Sequence, residues 1–119
     1  MSPKRPTQKS RASTRNRTDE AKFTAMIEEA TVDAYDESEQ TAGWYTMFEE
    51  HLALPFETAV LGLPAKVTKL ELRGDNTIIA VCTRGRERQS IDIVDLPLPS
   101  PRLHGTEWIE AYRHWRRGK

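Results

Sequence analysis

With 119 residues, 37% of them hydrophobic, the chain is long enough for one modest domain and too polar to fill it from end to end. The single cysteine, Cys82, excludes an intrachain disulfide and any cysteine-based zinc site, and no apolar run approaches a secretory signal or a membrane span, which points to a cytoplasmic chain with no membrane partner. Cations and anions balance at 18 each, but they are segregated, and segregated charge says more about partners than the total does.

Residues 1–17 contain Lys4, Arg5, Lys9, Arg11, Arg15 and Arg17, no acid and no hydrophobic periodicity. This composition predicts a disordered basic tail. Thr18 is placed as a helix N-cap, with Asp19 and Glu20 at the positive end of the helix dipole. Phe23, Met26, Ile27, Ala30 and Ala34 then recur at three- and four-residue spacing, which predicts one buried stripe on a single helix. Gly43 is read as its C-terminal stop. A second short helix is expected from about Trp44 to Ala53, ended by Leu54-Pro55.

After Pro55 the texture changes. Thr58–Leu61, Ala65–Leu72, Thr77–Thr83 and Ser90–Val94 are rich in Val, Ile, Leu and Thr. Turn signals at Gly62-Leu63-Pro64, Arg73-Gly74-Asp75-Asn76 and Arg84-Gly85-Arg86 separate them. Strands of this length and spacing predict a small SH3-like antiparallel β-barrel or curled sheet. Pro97 to Pro101 reads as a rigid connector. Thr106 is expected to cap a last helix whose Trp108, Tyr112 and Trp115 share one face and pack onto the sheet. The expected fold class is α+β, with a tail at 1–17, an acidic helical module at 18–54 and a β-barrel module with a C-terminal helix at 55–119.

Residues 19–50 hold ten acids against Lys22 alone. On one continuous helix the position after Ala34 on the buried stripe is Glu37, with Asp33 and Asp36 on its edge and Glu29 one turn before Asp33. These side chains would project toward the boundary between the helix and whatever packs on it, whereas Glu28 and Glu39 would point to solvent. Like charges three or four residues apart destabilise a helix by roughly 0.2–0.5 kcal/mol per pair, and a bridging cation reverses the sign of that interaction. Calcium takes six to eight oxygen ligands, mostly carboxylate, carbonyl and water. The plain alternative is a solvated acidic helix. The EF-hand loop pattern is absent, so any calcium site here is of another design.

The run Val32-Asp33-Ala34-Tyr35, then Glu37 and Glu39, Gly43-Trp44-Tyr45, Glu49-Glu50 and Leu54-Pro55-Phe56 resembles the CcbP-type calcium-binding proteins, a family first recognised in cyanobacteria. The resemblance is most specific over about residues 28–62. It implies a bimodular chain, an acidic helical module binding Ca2+ with a small β module attached. It implies further that Asp33 is the principal ligand and that Glu37 and Glu39 match acids of the same short run. Asp36 is an amide in some relatives, so it is an oxygen ligand without an essential charge. Glu29 enters from helical geometry and not from the resemblance.

Other features point elsewhere. The tail, with Arg84-Gly85-Arg86-Glu87-Arg88, could grip phosphates and position the chain on nucleic acid without reading sequence. No aromatic residue interleaves with the tail, so a stacking platform for single strands is missing. Arg113, Arg116 and Arg117 are read as favouring the negative end of the last helix's dipole. Cys82, inside a strand, reads as a small buried hydrophobe. His51, His104 and His114 lack metal-type spacing, and no constellation supports an enzyme. The expected function is a Ca2+ buffer or modest sensor. The alternative is a non-catalytic adaptor binding nucleic acid or an acidic protein through the tail and β module. Protein partner and oligomeric state are left open.

Overall fold

The computed structural model describes residues 19–99 and 102–118. The basic tail, the cap expected at Thr18 and the last part of the Pro-rich connector lie outside the described residues. In chain order the elements are a helix over residues 19–30 (α1), a helix Glu37–His51 (α2), strands Phe56–Val60 (β1), Leu63–Leu72 (β2), Ile78–Arg84 (β3) and Glu87–Asp92 (β4), a 3-10 turn at Ile93–Asp95 and a helix Thr106–Arg117 (α3).

The single long acidic helix is corrected to two helices. The β-branched pair Thr31-Val32 follows α1, and Asp33 takes a left-handed backbone with φ 57°. That conformation ends a helix and turns the chain. The Ala34 N–H donates to the Thr31 carbonyl at 3.1 Å across the turn. Extended Asp36, φ −134° and ψ 173°, then caps α2. Gly43 is likewise not a stop signal, since it lies inside α2. A Cβ there would collide with the Ala30 carbonyl oxygen, so glycine permits the end of α1 to touch the backbone of α2.

The four strands form an antiparallel meander in the order β1-β2-β3-β4. Phe56 pairs with Val67 and Val67 with Cys82, which places these inward residues of neighbouring strands on one face. Between Val67 and Lys69 the β2–β3 register shifts at a bulge, which sharpens the twist there. The sheet is not closed: β1 and β4 are its edges among the described residues, where a barrel was expected. Thr58 of β1 donates its hydroxyl to the Pro97 carbonyl, tying the Pro-rich stretch to that edge.

One hydrophobic cluster runs through helices and sheet. Met26 and Ala30 enter it from α1, Trp44 and Phe48 from α2, Val67, Leu70, Ile78, Ala80 and Cys82 from the sheet, and Trp108, Ile109 and Tyr112 from α3. Trp44 is fully buried (0% exposed). Its ring lies 5.6 Å from Tyr112, 5.8 Å from Trp115, 6.3 Å from Trp108 and 6.4 Å from Phe48. The aromatic face of α3 therefore packs around α2 and not only onto the sheet. The cap of α3 is Gly105, φ 98°, not Thr106, whose hydroxyl instead donates to the Leu103 carbonyl at 2.7 Å. A side chain at Gly105 would strike the His51 carbonyl, so this close approach joins the end of α2 to the start of α3.

Arg113 serves the core. Its guanidinium donates to the Ile93 carbonyl at 2.9 and 3.2 Å and also to the Leu96 carbonyl, closing the 3-10 turn onto α3. Burial lowers its pKa from the ordinary arginine value, with Asp95 opposing that shift. Cys82 is buried, as expected of a small hydrophobe, and burial raises its thiol pKa. No described helix is long and apolar enough to cross a membrane.

Candidate metal centre at the junction of the first two helices

Splitting the acidic stretch into two helices changes where each carboxylate stands. Asp36 and Glu39 are brought together by capping. The Glu39 N–H donates to Asp36 Oδ1 at 2.8 Å, while the Tyr35 N–H donates to Glu39 Oε1 at 2.7 Å. This is a reciprocal cap of the Asp-x-x-Glu pattern, with the glutamate reaching one residue further back than in the usual capping box. Both carboxylates also lie at the positive end of the α2 dipole. Glu39 is exposed, as helical geometry implied, and is engaged with the backbone as well.

Glu37 turns another way. Its Oε2 lies 3.8 Å from Nη1 of Arg116 on α3. Asp33 sits in the connecting turn and Glu29 on α1, both exposed, and neither carboxylate makes a hydrogen bond or ion pair among the described residues. The surrounding loop is also uncovered, with Val32 66% and Tyr35 86% exposed. The junction therefore holds two free carboxylates, two engaged in a cap and one facing a guanidinium.

Among the described residues, no group of three or more His, Cys, Asp or Glu side chains stands ready to hold a metal ion. The chemistry of the donors nevertheless fits a hard cation. Every side-chain ligand candidate at the junction is a carboxylate, the turn adds backbone carbonyls, and no nitrogen or sulfur ligand intrudes. Such a set suits calcium and not zinc or copper. Full coordination requires the capping carboxylates to share their oxygens or leave the amides.

Two other regions stand apart from this junction. A groove of about 920 Å3 runs between Leu52–Ala59 and Pro97–Pro99, walled further by Leu103, His104 and Thr106, and no candidate ligand lines it. In the β3–β4 hairpin, Arg84 pairs with Glu87 at 2.9 Å, leaving Arg86 and Arg88 exposed and without an ion pair among the described residues.

Sequence reasoning missed Arg116 as a neighbour of the acidic stretch, because a dipole argument already explained a cation near the end of α3. The available signal was its position one turn after Tyr112, which places it at the border of the aromatic face. The pairing of Asp36 with Glu39 carried a clearer signal, since Asp-x-x-Glu before a helix is a capping pattern.

A family model described as calcium binding, of the CcbP type, matches residues 24–116. No curated protein and no solved structure matches the chain. The matched span includes the second half of α1 from residue 24, all of α2, the whole sheet and nearly all of α3.

Proposed function

Because the chain belongs to the CcbP calcium-binding family, Ca2+ is the ion it binds, and we propose that the α1–α2 junction is where it does so. The observation that carries this reading is the state of Asp33. Its carboxylate is exposed and unengaged among the described residues, on a left-handed residue at the point where the chain reverses between two acidic helices. Asp33 is the first contact for an arriving cation. Glu37, Glu39 and Asp36 add carboxylate oxygens from the first turn of α2, and Glu29 adds one from the last turn of α1.

Nothing within the helical backbone has to break for this to happen. Asp36 and Glu39 each have a second carboxylate oxygen beyond the one that accepts the amide. A cation beside them supplements the positive end of the α2 dipole and relieves repulsion among neighbouring acids. Exposed carboxylates, two of them already capping a helix and one facing a guanidinium, imply an affinity of about 10⁻⁶–10⁻⁴ M, by comparison with sensor and extracellular sites. Magnesium competes poorly, because it demands near-octahedral geometry and dehydrates reluctantly.

The role that follows is a buffer or modest sensor of non-EF-hand design. Residues 18–54 supply the ion-binding module and residues 55–119 hold it in place. The buried α2–α3 packing argues against a large opening motion. Calorimetric titration of Ca2+, with magnesium in the buffer, compares the wild-type chain with Asp33→Asn combined with Glu37→Gln. Saturable heat in the wild type and its loss in the double variant is the expected result. Equal heats from the two proteins would remove the junction as the site.

A further inference from the structure

Arg116 is held by three parts of the molecule at once. Its Nη1 faces Glu37 Oε2 at 3.8 Å on α2 and donates to the Asn76 carbonyl at 3.4 Å in the β2–β3 turn. Its guanidinium carbon lies 5.9 Å from the centroid of the Tyr112 ring on α3 itself. Asn76 has a left-handed backbone, φ 64°, and its N–H returns to the Arg73 carbonyl at 3.1 Å, so the carbonyl that Arg116 uses belongs to a tight, fixed turn. Among the described residues, no other cation pairs with Glu29, Asp33, Asp36, Glu37 or Glu39.

We propose that Arg116 is an internal competitor for calcium, a positioning residue that stands against Glu37 until the ion takes the carboxylate. The inference rests on the reading of the α1–α2 junction as the calcium site. One carboxylate shared between a divalent ion and a guanidinium brings two like charges together, and the ion opposes the guanidinium's approach. Calcium therefore weakens the hold of Arg116 on Glu37. Linkage makes the effect reciprocal: the charge of Arg116 lowers calcium affinity by the same factor.

The consequence extends beyond affinity. Arg116 also contacts the β2–β3 turn, so its release from Glu37 changes the surroundings of Asn76, a residue distant in sequence from every candidate ligand. The junction gains a route by which ion occupancy is felt on the sheet. Magnitude follows from exposure. With side chains 32% and 51% exposed, the Arg116–Glu37 pair is a surface interaction. Its removal is expected to tighten calcium binding by up to about five-fold.

The test uses the full chain and calcium alone as the probe. Calorimetry compares wild type, Arg116→Gln and Arg116→Lys, and two-dimensional amide NMR follows residues 73–77 through each titration. Arg116→Gln should bind more tightly, and Arg116→Lys, which keeps the charge, should stay near wild type. Amide shifts at Asn76 should accompany calcium binding in the wild type and largely vanish in Arg116→Gln. Circular dichroism melting checks that both variants fold; if the glutamine variant does not, the wild-type titration carries the test, since an unshifted Asn76 amide at calcium saturation would overturn the competitor. Equal affinities in wild type and Arg116→Gln, with Asp33→Asn deficient, would overturn the competitor and leave the junction standing. Undiminished binding by Asp33→Asn would remove the junction and the competitor together.

Discussion

The α2–α3 interface and the α1–α2 junction both lie on α2, yet opposite physics maintains them. At the interface, Trp44, Phe48, Ile109 and Tyr112 are fully buried, and edge-to-face ring contacts at 5.6 Å join the two helices. Area removed from water dominates there, with a further contribution from ring geometry. At the junction, short polar contacts to neighbouring residues hold an exposed loop, and little apolar area is removed from water. Stability is thus concentrated in the aromatic interface, and the exposed acids of the junction contribute little of it.

The most severe way to break this contrast is Trp44→Ala. Loss of a fully buried indole should destabilise the chain by about 3–5 kcal/mol, read by denaturant unfolding. If a calcium-saturated sample regains only the amount set by mass action, the ion acts at a distance from the aromatic cluster. Arg113→Met comes next. It leaves the Ile93 and Leu96 carbonyls without their guanidinium donor and should lower stability by about 1–3 kcal/mol, with calcium affinity unchanged by calorimetry. Asp36→Ala removes the α2 cap and should lower stability by about 1 kcal/mol. Unlike the two core substitutions it should also weaken calcium binding, which would mark the junction as the place where the two effects meet.

The smallest expected effect is at alkaline pH. Burial raises the pKa of Cys82 above its ordinary 9.0, so the folded chain retains that proton more firmly than the unfolded chain. The associated stability is intact below pH 9 and declines as pH rises from there through the folded-state value. Tyr112, raised above 10.0 by burial, adds to the decline at higher pH. Cys82→Ala should flatten the first part of a melting-temperature profile measured between pH 8 and 11, and an unchanged slope would assign it elsewhere.

Much of the sheet was legible because turns announce themselves. Gly62, Gly74-Asp75-Asn76 and Gly85 all fall in or beside the observed turns, and each predicted strand overlaps an observed one. Closure was not legible, since a barrel and an open meander share the same run of strands and turns and differ only in whether the edges meet. The helical half misled for a specific reason. Phe23, Met26, Ile27 and Ala30 do face the core, and Ala34 continues their spacing by accident, beyond a turn the periodicity does not register. Gly43 had two meanings in sequence, helix end or close helix contact, and only the position of the Ala30 carbonyl distinguishes them. The candidate ligands were named from residue type and family resemblance. Their division into free, capping and paired carboxylates depends on backbone geometry that residue type does not encode.

An open meander has two raw margins to which any extended chain could add itself, and proteins guard such margins against runaway stacking of copy upon copy. On the β1 side, the strap fastened by Thr58 brings prolines, whose nitrogens have no hydrogen to offer a growing ladder. On the β4 side, Glu87, Arg88, Gln89 and Ser90 are all exposed, and charge and polarity stand where apolar side chains would invite assembly. Crowded solutions of this protein are accordingly expected to remain clear of fibrils, with the open borders defended by unlike means.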